Sequence, residues 1–325
     1  MAEWLYEEGI GENRAIRIES GEIAEAIIEL PNGPRAGAVR RGRLTSILVP
    51  GRRGIVTMDG GAEALLEPLP KLTEGAELRV EVVREAIPEQ GRAKLPKVRV
   101  TEAEERVGPT LKERIQGQAA PVAGPDLFEQ AGWSELLDQA ATGEIPFDGG
   151  GLRMNLTPAM TLFDVDGALP AAALAVAGAE AAGRAIRRFG IGGSIGIDLP
   201  TMPAKEDRLK AAAALDAVLP QPFERTAVNG FGFLQVVRRR ERPFLPEIVQ
   251  GDPVGAAARA LLRRAEKSRG AGERTIEAAP AVIARLEQND EWLRELERRI
   301  GAAVRLQARE GLAISAGHVH SQFNP

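Results

Sequence analysis

Two apolar runs that each end in an acid, Phe163-Asp164-Val165-Asp166-Gly167 and Gly196-Ile197-Asp198-Leu199-Pro200, stand 34 residues apart. Residues 170–189 between them are alanine-rich, opened by Pro170 and stopped by Gly190. Proline in a first helical turn and glycine just past the last are the expected punctuation of a helix. A strand–helix–strand crossover then makes the two strands parallel neighbours and brings their acids to the rim of one sheet. Asp164 and Asp166 are two residues apart, so both point to one face of an extended chain. Asp198 falls at the same level of the neighbouring strand. Three carboxylates near one point repel, and a divalent cation relieves that repulsion; magnesium prefers oxygen ligands. Such a cation polarises a phosphoryl oxygen and generates a hydroxide nucleophile. The competing reading is that these acids cap turns or helices, because Asp-x-Asp-Gly is a common turn composition.

At 325 residues the chain has room for two or three domains. No apolar run is long enough to span a membrane. Met1-Ala2-Glu3-Trp4 lacks a charged-then-apolar signal pattern, so a cytoplasmic location is expected. Cysteine is absent, which excludes disulfides, cysteine-ligated zinc and thiol catalysis. With His318 and His320 the only histidines, a histidine general base or a histidine-rich metal site fits poorly. The net charge of −4 weakly opposes a nucleic-acid partner, yet distribution matters more than the sum. Arginine comes in clusters at 40, 41 and 43, at 52 and 53, at 184, 187 and 188, and at 238, 239, 240 and 242. These suit an anionic phosphodiester, or else a solvated surface with cations at helix C-termini, as for Arg187 and Arg188.

The pattern predicts an α+β multidomain chain, with a small OB-type β-barrel and an α/β catalytic core built on a mixed sheet. Residues 1–35 read as short strands packing on the core, with a turn at Pro31-Asn32-Gly33-Pro34. Residues 36–103 hold five short β-type runs, at 39–49, 54–59, 64–69, 78–83 and 97–101, separated by Gly and Pro. Five such strands point to a small closed barrel such as the OB fold, or to another small β unit. Residues 104–145 read as a linker and a helix over 126–141. The α/β core spans 146–250: a hairpin of 151–156 and 160–165 around Thr157-Pro158, the crossover helix, the strand 194–199, and a helix over 203–218. A second hairpin follows, of 226–228 and 233–238 around Asn229-Gly230. A C-terminal α/β segment covers 251–325, with helices at 254–267 and 291–299, a strand at 274–279, a helix opened by Pro280, a strand at 304–307 and a loose tail from Gly317.

Two families share these motifs. Leu162-Phe163-Asp164-Val165-Asp166-Gly167-Ala168-Leu169 resembles the haloacid-dehalogenase-like phosphatase signature, an apolar strand followed by Asp-x-Asp-Gly-Thr. There the first Asp is the nucleophile and the second the acid/base. That family also needs a second acidic pair after a strand, and Gly251-Asp252-Pro253-Val254 lacks the partner acid. The second resemblance covers far more of the chain. Residues 149–243 resemble the catalytic core of the ribonuclease E/G endoribonucleases. Gly150-Gly151-Leu152, Thr157-Pro158-Ala159 and Phe163-Asp164-Val165-Asp166 are similar to that family's hairpin. Glu180-Ala181-Ala182 with Ile186-Arg187-Arg188 resembles its Glu-Ala-Ala helix. Ile191-Gly192-Gly193-Ser194-Ile195-Gly196-Ile197-Asp198-Leu199 with Met202 resembles its Ile-Gly-Gly stretch, and Gly232-Phe233-Leu234-Gln235-Val236-Val237-Arg238-Arg239-Arg240 its arginine-ended strand. Motif order and spacing agree throughout. Residues 36–103 resemble the OB-fold RNA-binding domain of the same family, and 274–316 the C-terminal part of ribonuclease G.

The resemblance implies a magnesium-dependent endoribonuclease that cuts single-stranded RNA by metal-activated water, leaving 5′-phosphate and 3′-hydroxyl ends. Asp164 and Asp198 match the family's magnesium-binding aspartates, and Asp166 stands where the family has Asn. The runner-up is an RNA-binding protein of the same fold whose catalytic site has degenerated. RNA contact is assigned to Arg40, Arg41, Arg43, Arg52, Arg53 and Lys97 on the barrel and to Arg225, Arg238, Arg239 and Arg240 on the core. The departures are also clear. The family's Cys-Pro-x-Cys zinc link is missing, so no zinc-linked dimer forms. Residues 104–145 are much shorter than the family's equivalent, which holds the pocket for a 5′-monophosphate. Residues 36–103 contain no Phe, Tyr or Trp, with Ile55, Met58 and Leu65 where base-stacking aromatics are expected.

Overall fold

The computed structural model describes residues 3–31, 33–89, 91, 93–115, 117–120, 125–268, 270 and 272–321. Asn32 of the first turn and residues 121–124 of the linker lie outside the described residues. The chain opens with an antiparallel meander of Glu3–Glu8 (β1), Asn13–Glu19 (β2) and Glu22–Glu29 (β3). Next come Val39–Val49 (β4), Arg53–Met58 (β5), Glu63–Leu66 (β6), Glu77–Arg84 (β7) and Lys97–Val100 (β8). They close into a barrel of order β4-β5-β6-β8-β7. Alternation drives it: Gly54, Val56 and Met58 of β5 point inward, and Leu44, Leu66, Val80, Val82 and Val98 complete a core of the barrel's own. Register shifts in β4 at Leu44/Ser46 and Ile47/Val49 mark the irregularities that let a strand bend around a small barrel.

The next segment carries Leu111–Ile115 (α1), Gln118–Ala119 (β9), Leu127–Gln130 (α2) and Trp133–Thr142 (α3). β9 adds to β1 as a parallel fourth strand of the N-terminal sheet. Where the sequence predicts one helix over 126–141, the chain makes two. Asp126 caps α2 through the N–H groups of Phe128 and Glu129, and the backbone turns over at residues 131–132 before α3 begins.

The central unit comprises Glu144–Phe147 (β10), Gly150–Leu156 (β11), Thr161–Gly167 (β12), Ala171–Arg188 (α4), Gly193–Asp198 (β13), Lys205–Val218 (α5), Glu224–Arg225 (β14) and Phe233–Arg238 (β15). Its sheet runs β10-β11-β12-β13-β15-β14. β12 and β13 are parallel and the other pairs antiparallel, so the sheet is mixed. One face is apolar: Leu152, Met154, Phe163, Val165, Ile195, Ile197, Leu234 and Val236 are all buried. Burying Phe163 alone contributes roughly 1.5–3 kcal/mol. α4 lies on that face, and its small residues are what let it come so close. A side chain at Gly178 would meet Val165 Cγ1 at 2.4 Å. The same core takes in Ile16, Ile23, Ala26 and Ile28 of the N-terminal meander, which ties that sheet to the central one.

The chain ends with Leu245–Gly251 (α6), Pro253–Lys267 (α7), Arg274–Ala278 (β16), Pro280–Glu287 (α8), Asp290–Ile300 (α9), Val304–Ala308 (β17) and His318–Ser321 (β18). β16 is central, with β17 parallel and β18 antiparallel to it. The tail expected to be loose from Gly317 therefore forms a strand as far as Ser321. A second correction concerns 226–228. The expected strand there is a loop, and the pairing with β15 sits earlier, at Glu224 and Arg225. Among the described residues no helix is long and apolar enough to cross a membrane.

A buried ion-pair cluster locks the first strands to α7. Arg14 contacts Glu7 and, through Nε, Glu12 Oε1 at 2.7 Å. Arg259 Nε reaches Glu12 Oε2 at 2.7 Å, and Arg263 reaches Glu7 at 2.9 Å and Asp126 at 2.6 Å.

Candidate active site on the open face of the central sheet

The face of the central sheet opposite α4 carries one continuous row of register partners. Glu144, Arg153, Asp164, Asp198 and Phe233 succeed one another across β10, β11, β12, β13 and β15. The row follows from alternation. Each residue is flanked by the buried apolar residues of its own strand, so its side chain must leave by the open face. Asp164 and Asp198 are direct partners in the parallel ladder, on strands about 4.8 Å apart. Asp198 is the last residue of its strand, whereas Asp164 lies mid-strand, three residues before Gly167. Asp166 leaves β12 on the same face, opposite Gly151, one level beyond the end of β13.

All three acids are exposed, and among the described residues none of their side chains has a hydrogen-bond or ion-pair partner. Arg153 is the register partner of Asp164 on the same face. Its Nε donates to Glu144 Oε1 at 3.1 Å. That hydrogen bond, then the field of Glu144 and, further off, of Asp166 and Asp164, makes the guanidinium hold its proton more tightly than usual. Among the described residues no group of three or more acids or histidines is gathered tightly enough to cage a metal. The donor set is instead a pair, Asp164 and Asp198, with Asp166 one step away. Two adjacent carboxylates with free lone pairs fit magnesium, which takes one or two carboxylates and completes its shell with water and substrate phosphate. A cavity of about 400 Å³ opens beside the β11–β12 turn, lined by Thr157, Met160, Ser194, Arg240 and Glu247 together with Glu89 and Lys94. The three aspartates do not line it; they stand on open sheet surface.

The arginines and the lysine expected to bind RNA are mostly engaged. On the barrel, Arg41 pairs with Glu105 at 2.5 Å and Arg43 with its cross-strand partner Glu77 at 2.8 Å. Glu67 takes both Arg53 at 3.1 Å and Lys97 at 2.8 Å, and the hydrogen bonds from Lys97 and then Arg53 lower its pKa. Arg40 and Arg52 are exposed and have no acidic partner among the described residues. On the core, Arg225 pairs with Asp216 at 2.5 Å, Arg239 with Glu241 at 2.8 Å and Arg240 with Glu247. Arg238 is half-buried and donates to the carbonyls of Ile191 and Ile186 at 3.1 and 3.5 Å; burial pushes its pKa down. Met58, expected where a stacking aromatic would be, is 3% exposed and belongs to the barrel core. Ile55 and Leu65 are half-buried register partners.

Arg153 and Glu144 escaped the sequence reading although the signal was present. The Thr157 N–H bonds the Met160 carbonyl, and with that turn closed the hairpin register places Arg153 opposite Asp164. Phe231 and Phe233, on the loop and strand beside Asp198, were missed as well. Compared with protein-family models and with curated protein sequences, the chain matches none.

Proposed function

We propose that the chain is a magnesium-dependent endoribonuclease that cuts single-stranded RNA, with the barrel as an OB-type RNA-binding domain. The observation that carries this reading is the direct pairing of Asp164 with Asp198 on a sheet face left open to solvent. Their carboxylates would hold the magnesium ion, which when bound polarises the scissile phosphoryl group and lowers the pKa of coordinated water. Asp164 and Asp198 set the place at which the phosphodiester is presented. Arg153, held by Glu144 and the register partner of Asp164, would offset part of the negative charge at the site. An open face with no enclosing wall suits a polymer that must be gripped mid-chain. The products are 5′-phosphate and 3′-hydroxyl ends.

Asp164 and Asp166 also share one strand face, which keeps the phosphatase reading testable. The deciding experiment incubates purified protein with end-labelled single-stranded RNA and separately with a phosphomonoester, each with and without magnesium. Magnesium-dependent internal cleavage supports the ribonuclease reading. Hydrolysis of the monoester alone supports the phosphatase, and RNA retention without cleavage supports the degenerate binder.

A further inference from the structure

Phe231 is 82% exposed, and among the described residues it is the aromatic member of the exposed large apolar side chains. Single exposed apolar side chains such as Val107 or Leu209 are ordinary surface. Phe231 differs in how firmly its backbone is held and in what lies beside it. Asn229 Oδ1 accepts from the N–H groups of Phe231 at 2.9 Å and Phe233 at 3.0 Å. The Asn229 N–H bonds the Phe233 carbonyl, and the Gly232 N–H bonds the Asn229 carbonyl. Two further bonds stitch the loop to the segment that follows Asp198: Leu199 N–H to the Gly232 carbonyl at 3.3 Å, and Thr201 Oγ1 to the Phe231 carbonyl at 3.3 Å. Gly232 makes this seam possible. Its φ is +97°, and a Cβ there would lie 2.1 Å from the Leu199 carbonyl oxygen. The ring is thus presented on a fixed mount, next to the strand end that carries Asp198.

Phe233 continues the apolar surface. It is the register partner of Asp198, and its ring reaches over Gly196, where a Cβ would meet Phe233 Cζ and Leu162 Cδ2 each at 2.7 Å. Leu162, Gly196 and Phe233 therefore form an apolar floor one step along the strands from Asp164 and Asp198, and Phe231 stands two residues before Phe233 in the same loop-to-strand segment. An open polar face has no packing reason to display a fixed, solvated phenyl group beside two carboxylates. A nucleobase has a π-face that stacks on such a ring regardless of sequence. The barrel has no aromatic residue for this purpose, and most of its cations are already paired.

We infer that Phe231 is a nucleobase-stacking subsite that seats a base next to the phosphodiester presented to Asp164 and Asp198. This inference rests on the single-stranded-RNA reading above. It moves the aromatic platform from the barrel to the catalytic core.

The test uses the full chain in an Asp164→Asn background, so that bound RNA stays uncut. Affinity is measured for single-stranded RNA carrying 2-aminopurine, and for the same RNA with abasic positions, comparing Phe231 with Phe231→Ala and Phe231→Trp. Expected are quenching of 2-aminopurine by the parent and by Phe231→Trp, and an affinity loss of roughly five- to one-hundredfold in Phe231→Ala. On abasic RNA the three proteins should bind equally. Equal binding of base-bearing RNA by Phe231→Ala, with intact cleavage in the chain that keeps Asp164, overturns the subsite and leaves the ribonuclease reading standing. Loss of self-association in Phe231→Ala with unchanged RNA affinity also overturns it, assigning the ring to a contact between copies. If the unsubstituted chain neither binds nor cuts RNA, the ribonuclease reading itself falls.

Discussion

Asp198 of β13 is the residue-for-residue partner of Asp164 of β12, so two exposed carboxylates leave adjacent parallel strands on the same face. Among the described residues no cation pairs with either within 4 Å. Like charges placed directly opposite each other destabilise a sheet. A divalent cation seated between them, as in the proposed function, would relieve that repulsion.

Asp164→Asn and Asp198→Asn should each lower RNA cleavage by more than the roughly 10–100-fold that loss of a metal site's outer partners costs. Neither should lower stability, because both side chains are exposed and the substitution removes a repulsion. Thermal unfolding followed by circular dichroism should place both variants at or above the wild-type midpoint. Wild-type cleavage by either variant in magnesium would defeat the site assignment.

Asp166 lies beyond the end of β13 and faces Gly151 rather than another acid. Asp166→Asn should therefore retain cleavage within about tenfold of wild type, well above the Asp164→Asn level. The phosphatase reading predicts the opposite, since there Asp166 is the proton donor. Assaying both variants on RNA and on a phosphomonoester separates the two mechanisms.

The parts of this fold that were legible are those set by local pattern. The barrel strands alternate between Gly and Pro breaks, and β4 runs over Val39–Val49 as its sequence predicts. The crossover helix sits between its Pro and Gly markers, and the pairing of Asp164 with Asp198 follows from it. What stayed hidden depends on contacts made at a distance. β9 is two residues long and exists because β1 offers an edge. β10 contains Pro146, which reads as a breaker yet is tolerated because β10 is the last strand of its sheet. The loop at 226–232 replaces a tight Asn-Gly hairpin because the Asn229 side chain caps two backbone N–H groups instead. In sequence the arginines form a charge pattern, but their state depends on cross-strand register, which places Glu77 beside Arg43 and Glu67 between Arg53 and Lys97.

The Glu7–Arg14–Glu12–Arg259 cluster predicts an acid-sensitive fold. Burial alone would raise the pKa of Glu12, but the field of Arg14 and Arg259 and their hydrogen bonds overcome it, and the net shift is downward. Glu7 follows the same logic, with Arg14, Arg263 and Lys267 supplying the field. A carboxylate whose folded pKa lies below its unfolded value of about 4.3 stabilises the fold above that pH. That contribution is lost as pH falls through the folded pKa. The melting midpoint should hold steady between pH 7 and about pH 5 and drop below about pH 4. Glu12→Gln leaves Arg14 and Arg259 buried without their shared partner, at a cost of roughly 3–5 kcal/mol at neutral pH, and should flatten the acid-side decline. An unchanged midpoint at pH 7 would show that the cluster contributes little.

Salt dependence of RNA binding tests which cations meet phosphate. Each phosphate neutralised on a single strand adds about 0.7 to the slope of log affinity against log salt. An arginine already paired with a carboxylate meets an RNA phosphate only by leaving that carboxylate, so the exposed glutamate then repels the backbone and the net gain in phosphate neutralisation is small. On the barrel that describes Arg41, Arg43, Arg53 and Lys97, whose partners are Glu105, Glu77 and Glu67. Arg40 and Arg52 have no such partner among the described residues. Replacing Arg40 and Arg52 together with Ala should lower the slope by about 1.4, whereas Arg43→Ala, which also frees Glu77, should lower it by less than about 0.7. Fluorescence anisotropy across a salt titration resolves that difference. If Arg43→Ala changes the slope as much per residue as the double variant does, the ion pairs open on binding, and the whole arginine face of the barrel meets the RNA.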